Sequence, residues 1–253
     1  NPDVFVINTC CVTSQAEKKC RNVINKFHRT NPGAKIIITG CYAQMKGEEL
    51  KQMKGVDLVI GNEDKGAIFD ILNYERQEVI VDHNSIKSFF PGYNIEDRAR
   101  SFLKVQDGCD YFCSYCTIPY ARGRSRNLPV DEIVKQAQII EENGIEEVVL
   151  TGINIGDFGQ STGESLYSLL KSLIENTAIP RYRISSIEPN LLTAEILGLF
   201  TESDRIASHF HIPLQGGNNK MLKLMNRKYD IDFFENKVKE ITGINKEISV
   251  GTD

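Results

Sequence analysis

The sequence predicts an α/β fold, an open parallel α/β region followed by a (β/α) barrel or partial barrel. Short apolar runs alternate with helix-patterned stretches along most of the chain, and that alternation implies parallel strands joined by helical crossovers. The pattern weakens between Asn73 and Arg100, around Pro91-Gly92, as expected of a link between domains. Beyond it, β-then-α units repeat with five recognisable strands, as a barrel requires. The expected domains are therefore 1–73, a linker 74–100, and 101–253.

Taken in order, Asp3 to Asn8 is an apolar run that reads as a buried strand, ending in Asn8-Thr9-Cys10-Cys11. Ser14 is placed to cap a helix from about Gln15 to His28, with Glu17 three residues on as in a capping box. Asn31-Pro32-Gly33 closes that helix. Lys35 to Thr39 is a second strand, running into Gly40-Cys41. A helix near Gln44 to Gln52, a short strand Asp57 to Ile60 and a helix Asp64 to Leu72 complete the region. Ser101 to Gln106 opens the second series as a strand leading into a cysteine-rich loop. Ile133, Ala137 and Ile140 fall at helical spacing between Pro129 and Asn143, and Gly144 ends that helix. Strands then read at Glu147 to Thr151, Arg183 to Ile187, Ile206 to Ile212 and from Glu247. Helices read at Leu166 to Glu175, Thr193 to Phe200, Lys220 to Met225 and Ile231 to Ile241.

Composition narrows the classes. A chain of 253 residues fits about two domains, and 41% hydrophobic with 25% charged residues is ordinary for a globular protein. No apolar run approaches the roughly 18 residues of a membrane helix, and the opening Asn-Pro-Asp lacks the basic, then apolar, pattern of a secretory leader. Seven unevenly spread cysteines do not resemble a disulfide framework, so a reducing cytosol is the expected compartment. A net charge of −4 gives no global footprint for nucleic acid.

The chemistry concentrates in Cys109, Cys113 and Cys116, three thiols within eight residues. Soft thiolates so close together suit zinc or an iron–sulfur cluster. Three is one short of the four ligands of a closed structural site, which leaves an open metal position. No cysteine or histidine lies in the following thirty residues to complete a zinc knuckle. Tyr111, Phe112 and Tyr115 surround the thiols and would screen a cluster from water. The loop follows the first strand of the βα series, where barrels place their active sites. The expectation is a 4Fe-4S cluster with one iron free to bind a small molecule.

The cysteine spacing, with an aromatic residue immediately before Cys116, resembles the signature of the radical S-adenosylmethionine (SAM) enzymes. The stretch from Phe102 to Arg126 is similar to their methylthiotransferase branch, and within it to the enzymes that thiomethylate threonylcarbamoyladenosine beside the tRNA anticodon. Asn8-Thr9-Cys10, the run from Gly40 to Gln44, the run from Arg183 to Pro189 and the run from His209 to Gln215 match further motifs of that branch. The resemblance implies an N-terminal methylthiotransferase α/β domain followed by an incomplete radical SAM partial barrel. It implies that Cys109, Cys113 and Cys116 hold a 4Fe-4S cluster whose fourth iron binds SAM. Reductive cleavage of SAM then yields a 5′-deoxyadenosyl radical, which enables attachment of a methylthio group at carbon 2 of the adenine. It further implies a second, auxiliary 4Fe-4S cluster, a tRNA substrate, and an electron donor such as a flavodoxin or ferredoxin. The family's first N-terminal cysteine motif and the end of its barrel have no counterpart in these 253 residues, so a shortened chain lacking one auxiliary-cluster ligand is expected. The same chemistry on isopentenyladenosine or on a ribosomal-protein aspartate is the nearest alternative. A non-catalytic iron–sulfur or zinc protein is the alternative of another class.

Cys10 and Cys41 each follow a strand, and adjacent parallel strands present such ends side by side, which makes both candidate ligands of the auxiliary cluster. Cys11 and Cys20 are expected to pack as small hydrophobes. Tyr115 takes the place where the resemblance implies an adenine contact. Gly152 and Asn154, beyond the second barrel strand, are expected to approach the cofactor; glycines 152, 156, 159 and 163 are spaced unlike a dinucleotide fingerprint. Ser186, Glu188 and Gln215 sit where strand ends can hold the ribose and methionine portions of SAM. His209 and His211 share one strand face, and a packed, hydrogen-bonded layer is expected there in preference to metal. Arg122, Arg124 and Arg126 form a short basic cluster beyond the loop, suited to bidentate contact with RNA phosphates or to simple solvation.

Overall fold

The computed structural model describes residues 2–74, 80–95, 99–244 and 247–253, so part of the expected linker lies outside the described residues. The chain divides into two compact units. One comprises residues 1–90 with 116–124, the other residues 91–115 with 125–253.

In the first unit, β1 (Val4–Thr9), β2 (Lys35–Gly40) and β3 (Leu58–Val59) form a parallel sheet in the order β1-β2-β3. Ile36, Ile37 and Ile38 are almost fully buried, as a continuous apolar run in a parallel sheet should be. The crossover helix α1 (Ser14–Thr30) starts one position earlier than its sequence signals. Thr13, extended at φ −135°, is the cap, its hydroxyl accepting from the Ala16 N–H at 3.1 Å. Glu17 therefore does not close a capping box; it pairs with Lys46 at 2.8 Å. Helix α2 (Cys41–Lys51) begins directly on Gly40, whose φ of +97° and near contact with the Thr9 carbonyl leave no room for a side chain. Helix α3 (Ile68–Tyr74) follows a short 3-10 turn.

In the second unit, β4 (Arg100–Lys104), β5 (Glu147–Thr151) and β6 (Arg181–Ile184) are parallel and in consecutive order, as are β7 (His209–His211) and β8 (Ser249–Gly251). Parallel bridges Tyr182–Ile206 and Ser186–His211 join β6 to β7, which makes a five-strand run of β/α units. The strands are shorter than the apolar runs suggest, because among the described residues β6 and β7 meet at two isolated bridges and share no continuous ladder. Between β4 and β5 lie α4 (Ile118–Arg122), whose segment groups with the first unit, and α5 (Val130–Glu142). Then come α6 (Leu166–Asn176), α7 (Ala194–Glu202), α8 (Asn219–Leu224) and α9 (Ile231–Ile244). Alternate strand residues Leu103, Val148, Leu150, Tyr182 and Ile184 pack against Ile133, Ala137, Ile140, Leu169, Leu170 and Leu173 of the helices. That apolar layer holds one face of the sheet and leaves the opposite face for polar groups.

On that opposite face Glu147 is 8% exposed and is met by Arg100 and Arg183, each at 2.9 Å, and by Arg181 at 3.6 Å. Burial alone would raise its pKa, but Arg183, Arg100 and Arg181 overcome it and hold the carboxyl below its ordinary 4.5. A depressed folded value means stability that is present above the unfolded pKa and is lost as pH falls through the folded one. Glu147→Gln is expected to cost about 1–2 kcal/mol at neutral pH, discounted for the solvent on Arg100 and Arg181. The difference should shrink below the ordinary value of 4.5. Urea unfolding of both proteins across that range is the check, and a pH-independent difference would contradict the ion-pair account.

Candidate active site

The cysteine loop leaves β4 through Gln106, a side chain with no exposed surface. Its Oε1 accepts from the backbone N–H groups of Ile153 and Asn154, each at 2.9 Å. Its Nε2 donates to the Gly108 carbonyl at 2.8 Å and the Ser125 hydroxyl at 2.9 Å. Gln106 thus ties the loop after β4 to the loop after β5. A side chain on Gly152 would collide with it, at 2.9 Å from Oε1, so that glycine makes room for Gln106. Nothing in the local pattern singles Gln106 out, because its partners lie up to 48 positions away.

Cys109 is half-buried and Cys113 buried, and each sulfur faces an N–H donor. Asn154 Nδ2 stands 4.0 Å from Cys109 Sγ and Arg227 Nη1 stands 3.3 Å from Cys113 Sγ. Cys116 lies three residues further on, where the chain passes into the segment grouped with the first unit. Among the described residues no three His, Cys, Asp or Glu side chains gather closely enough for a single metal ion. Thiolates on separate irons of a cluster stand further apart than those sharing one ion, so this arrangement is compatible with a cluster. Asn154 also donates to Asp157 at 2.8 Å, while its own Oδ1 is buried without a partner. Burial, reinforced by Asp110, pushes the Asp157 carboxyl up to about 6.

Three non-glycine residues with positive φ are described, and all border this loop or the expected cofactor positions: Phe112 (+49°), Gln215 (+64°) and Asn226 (+58°). Such conformations persist where surrounding contacts over-determine them, and they collect at functional sites. Asn226 Nδ2 donates to the Tyr111 and Phe112 carbonyls at 3.2 and 3.1 Å. Tyr111 accepts from Asn190 Nδ2 at 2.7 Å, and burial raises its pKa. Glu188 forms an ion pair with Arg227. Burial raises the Glu188 carboxyl against the pull of Arg227, while the Arg227 guanidinium, despite its own burial, is held protonated by Glu188. Ser186 is exposed and bonds His211 Nδ1 at 2.8 Å, whereas His209 Nδ1 is buried without a hydrogen-bond partner. Tyr115 is 52% exposed.

In the first unit, Thr9 and Gly40 are in register at the ends of β1 and β2, so Cys10 and Cys41 follow neighbouring strand ends. Cys41 is buried at the first position of α2 and accepts from Arg122 Nε at 3.4 Å. Cys11 packs in the apolar cluster beside Cys41, and burial, with Cys41 next in weight, pushes its thiol up to about 11. Of the three arginines expected at RNA, Arg122 therefore points at a sulfur. Arg126 is buried and pairs with Asp107 at 3.5 Å, which takes it away from solvent. Arg124 alone is exposed.

Residues 103–252, more than half of the chain, match the family described as the radical SAM superfamily. The chain belongs to that superfamily. Residues 1–61 match a second family, described as uncharacterized protein family UPF0004. Threonylcarbamoyladenosine tRNA methylthiotransferases of Aquifex aeolicus and Bacillus subtilis are 40% and 38% identical over 99% of the chain. A tRNA-2-methylthio-N(6)-dimethylallyladenosine synthase of Thermodesulfovibrio yellowstonii is 31% identical over 99%. The radical SAM chain spans 63%, 58% and 59% of the lengths of these three relatives. In fold it is similar to the cobalamin-dependent radical enzyme OxsB, with a TM-score of 0.65 and 12% identity, covering 99% of this chain and 40% of the other. It is also similar to the methyltransferase TsrM of Kitasatospora setae, with a TM-score of 0.69 and 14% identity, covering 100% and 56%.

Membership implies a 4Fe-4S cluster and SAM, and the donor set fits. Three thiols stand in one loop, N–H groups are aimed at two of the sulfurs, and a buried amide oxygen beside them lacks a partner. No helix among the described residues is long and apolar enough to cross a membrane.

Proposed function

We propose that this radical SAM chain carries out methylthiolation of tRNA, at carbon 2 of threonylcarbamoyladenosine beside the anticodon. The observation that carries the reading is the cysteine loop with donors on its sulfurs, Asn154 toward Cys109 and Arg227 toward Cys113. Cys109, Cys113 and Cys116 hold the 4Fe-4S cluster. When bound, the cluster supplies the electron that cleaves a carbon–sulfur bond of SAM. Around it, Tyr115 offers an exposed ring to the adenine, while Asn154, Ser186, Glu188 and Gln215 line the strand ends that orient the rest of SAM; Gly152 serves by admitting Gln106. Burial of Cys113 and Asn154 keeps water from the reacting end.

Cys10 and Cys41 would hold an auxiliary 4Fe-4S cluster supplying the sulfur, with Arg122 as hydrogen-bond donor to Cys41 and a second SAM as the methyl donor, leaving S-adenosylhomocysteine. Arg124 is the phosphate contact that remains from the basic run. The electron that cleaves SAM would come from a flavodoxin- or ferredoxin-type donor. Relatives at 35–40% identity that carry the threonylcarbamoyladenosine name favour that substrate over the isopentenyl one. After anaerobic reconstitution and reduction, the protein is expected to release 5′-deoxyadenosine from SAM, and its EPR signal is expected to change when SAM is added. Tightly held zinc, or a cluster indifferent to SAM, would contradict the reading.

A further inference from the structure

Arg227 is placed by the end of α8 with unusual definiteness. The Arg227 N–H bonds the Leu222 carbonyl at 2.9 Å and the Asn226 N–H bonds Lys223 at 3.1 Å, which is the Schellman pattern with left-handed Asn226 as the turning residue. The same turn is pinned to the cysteine loop by Asn226 Nδ2 on the Tyr111 and Phe112 carbonyls, and by the Ser114 N–H on the Met225 carbonyl at 3.2 Å. The guanidinium that results is only 3% exposed. Nη2 faces Glu188 and the Tyr229 hydroxyl, Nε faces the same hydroxyl at 3.2 Å, and Tyr229 in turn donates to the Pro213 carbonyl at 2.5 Å. Nη1 is left for Cys113 Sγ at 3.3 Å and the Tyr115 hydroxyl at 3.4 Å.

We propose that Arg227 sets the reduction potential of the cluster held by the cysteine loop, acting through its hydrogen bond to Cys113 Sγ, with Glu188 as the opposing charge. The inference rests on the reading of Cys113 as a cluster ligand. Reduction adds one electron from the external donor protein, and so one unit of negative charge, to a site already made of thiolates. Hydrogen bonds to ligand sulfurs and nearby net charge are the levers a protein has on that potential. A buried cation beside a ligand sulfur is poorly screened and favours the reduced form. The Glu188 carboxylate on the far side of the guanidinium subtracts from that effect. Arg227 touches no reacting atom and is a positioning residue.

The test is an EPR-monitored redox titration of the SAM-responsive cluster in reconstituted wild-type, Arg227→Met, Arg227→Lys and Glu188→Gln proteins. Arg227→Met should leave about tenfold less reduced cluster at a fixed donor potential, a shift of about 59 mV to lower values for a one-electron couple. Arg227→Lys, which keeps the charge but loses the fork, should shift in the same direction by less. Glu188→Gln should shift the opposite way. A merely structural role would lower cluster loading without opposed shifts. Unchanged or same-direction midpoints in the Arg227 and Glu188 variants overturn the proposal. If Arg227→Met fails to load, Arg227→Lys and Glu188→Gln decide it by the same criterion. A wild-type protein with no SAM-responsive cluster would instead overturn the reading of the site itself.

Discussion

Cys113→Ala will abolish 5′-deoxyadenosine formation and lower the iron retained after reconstitution, while the protein remains folded. Ligand count decides the outcome. A loop that offers three thiolates already leaves one iron to the substrate, and losing one more leaves two ligands for a cluster that needs at least three. Cys113 is also the sulfur that Arg227 meets, at 3.3 Å, so the substitution removes the partner for which that buried cation is aimed. Removal of a small side chain creates little void at a site whose neighbours are loop residues, and the unfolding free energy should fall by no more than about 1–2 kcal/mol. Iron content, 5′-deoxyadenosine by chromatography, and thermal unfolding of the apo form separate these effects. Wild-type levels of 5′-deoxyadenosine would refute the assignment of the loop.

Gln106→Leu will be the most damaging substitution outside the cysteines. Leucine fills nearly the same volume, so the loss is polar. The N–H groups of Ile153 and Asn154 lose their acceptor, and the Gly108 carbonyl and Ser125 hydroxyl lose their donor. Leaving buried groups unpaired costs about 1–3 kcal/mol each where water cannot replace the partner, so about 3–5 kcal/mol in all is expected. For a chain of this size that corresponds to roughly 10 °C in the unfolding midpoint. Because the same bonds hold Asn154 against Cys109, cluster loading should fall together with stability. A midpoint within about 2 °C of wild type would show that Gln106 is not the tie between the two loops.

The α/β class was legible because each signal is local. Residues 4–7 and 36–38 are continuous apolar runs, and Ile133, Ala137 and Ile140 repeat at helical spacing. The cysteine loop was legible for the same reason, as its three thiols are neighbours in sequence. What escaped was non-local or too short. Arg227 reaches Cys113 across 114 positions and Glu188 across 39, and no pattern around Asn226-Arg227-Lys228 announces either partner. Helix α4 has five residues, too few for a period to show, and carries a proline that reads equally well as a loop. The cap at Ser14 was displaced by one because Thr13 is an equally good cap and its extended backbone decides the matter. Arg126 resembled its exposed neighbour Arg124 in sequence; the bridge between Asp107 and Arg126 turns its side chain inward.

The proposed tRNA chemistry is tested most directly by mass spectrometry of tRNA nucleosides from a strain deleted for the gene. The account predicts that threonylcarbamoyladenosine accumulates without its 2-methylthio group, that the gene restores the modified nucleoside, and that the Cys113→Ala gene does not. A deletion strain with the 2-methylthio form of threonylcarbamoyladenosine undiminished, or one that loses the methylthio group from isopentenyladenosine instead, would contradict it.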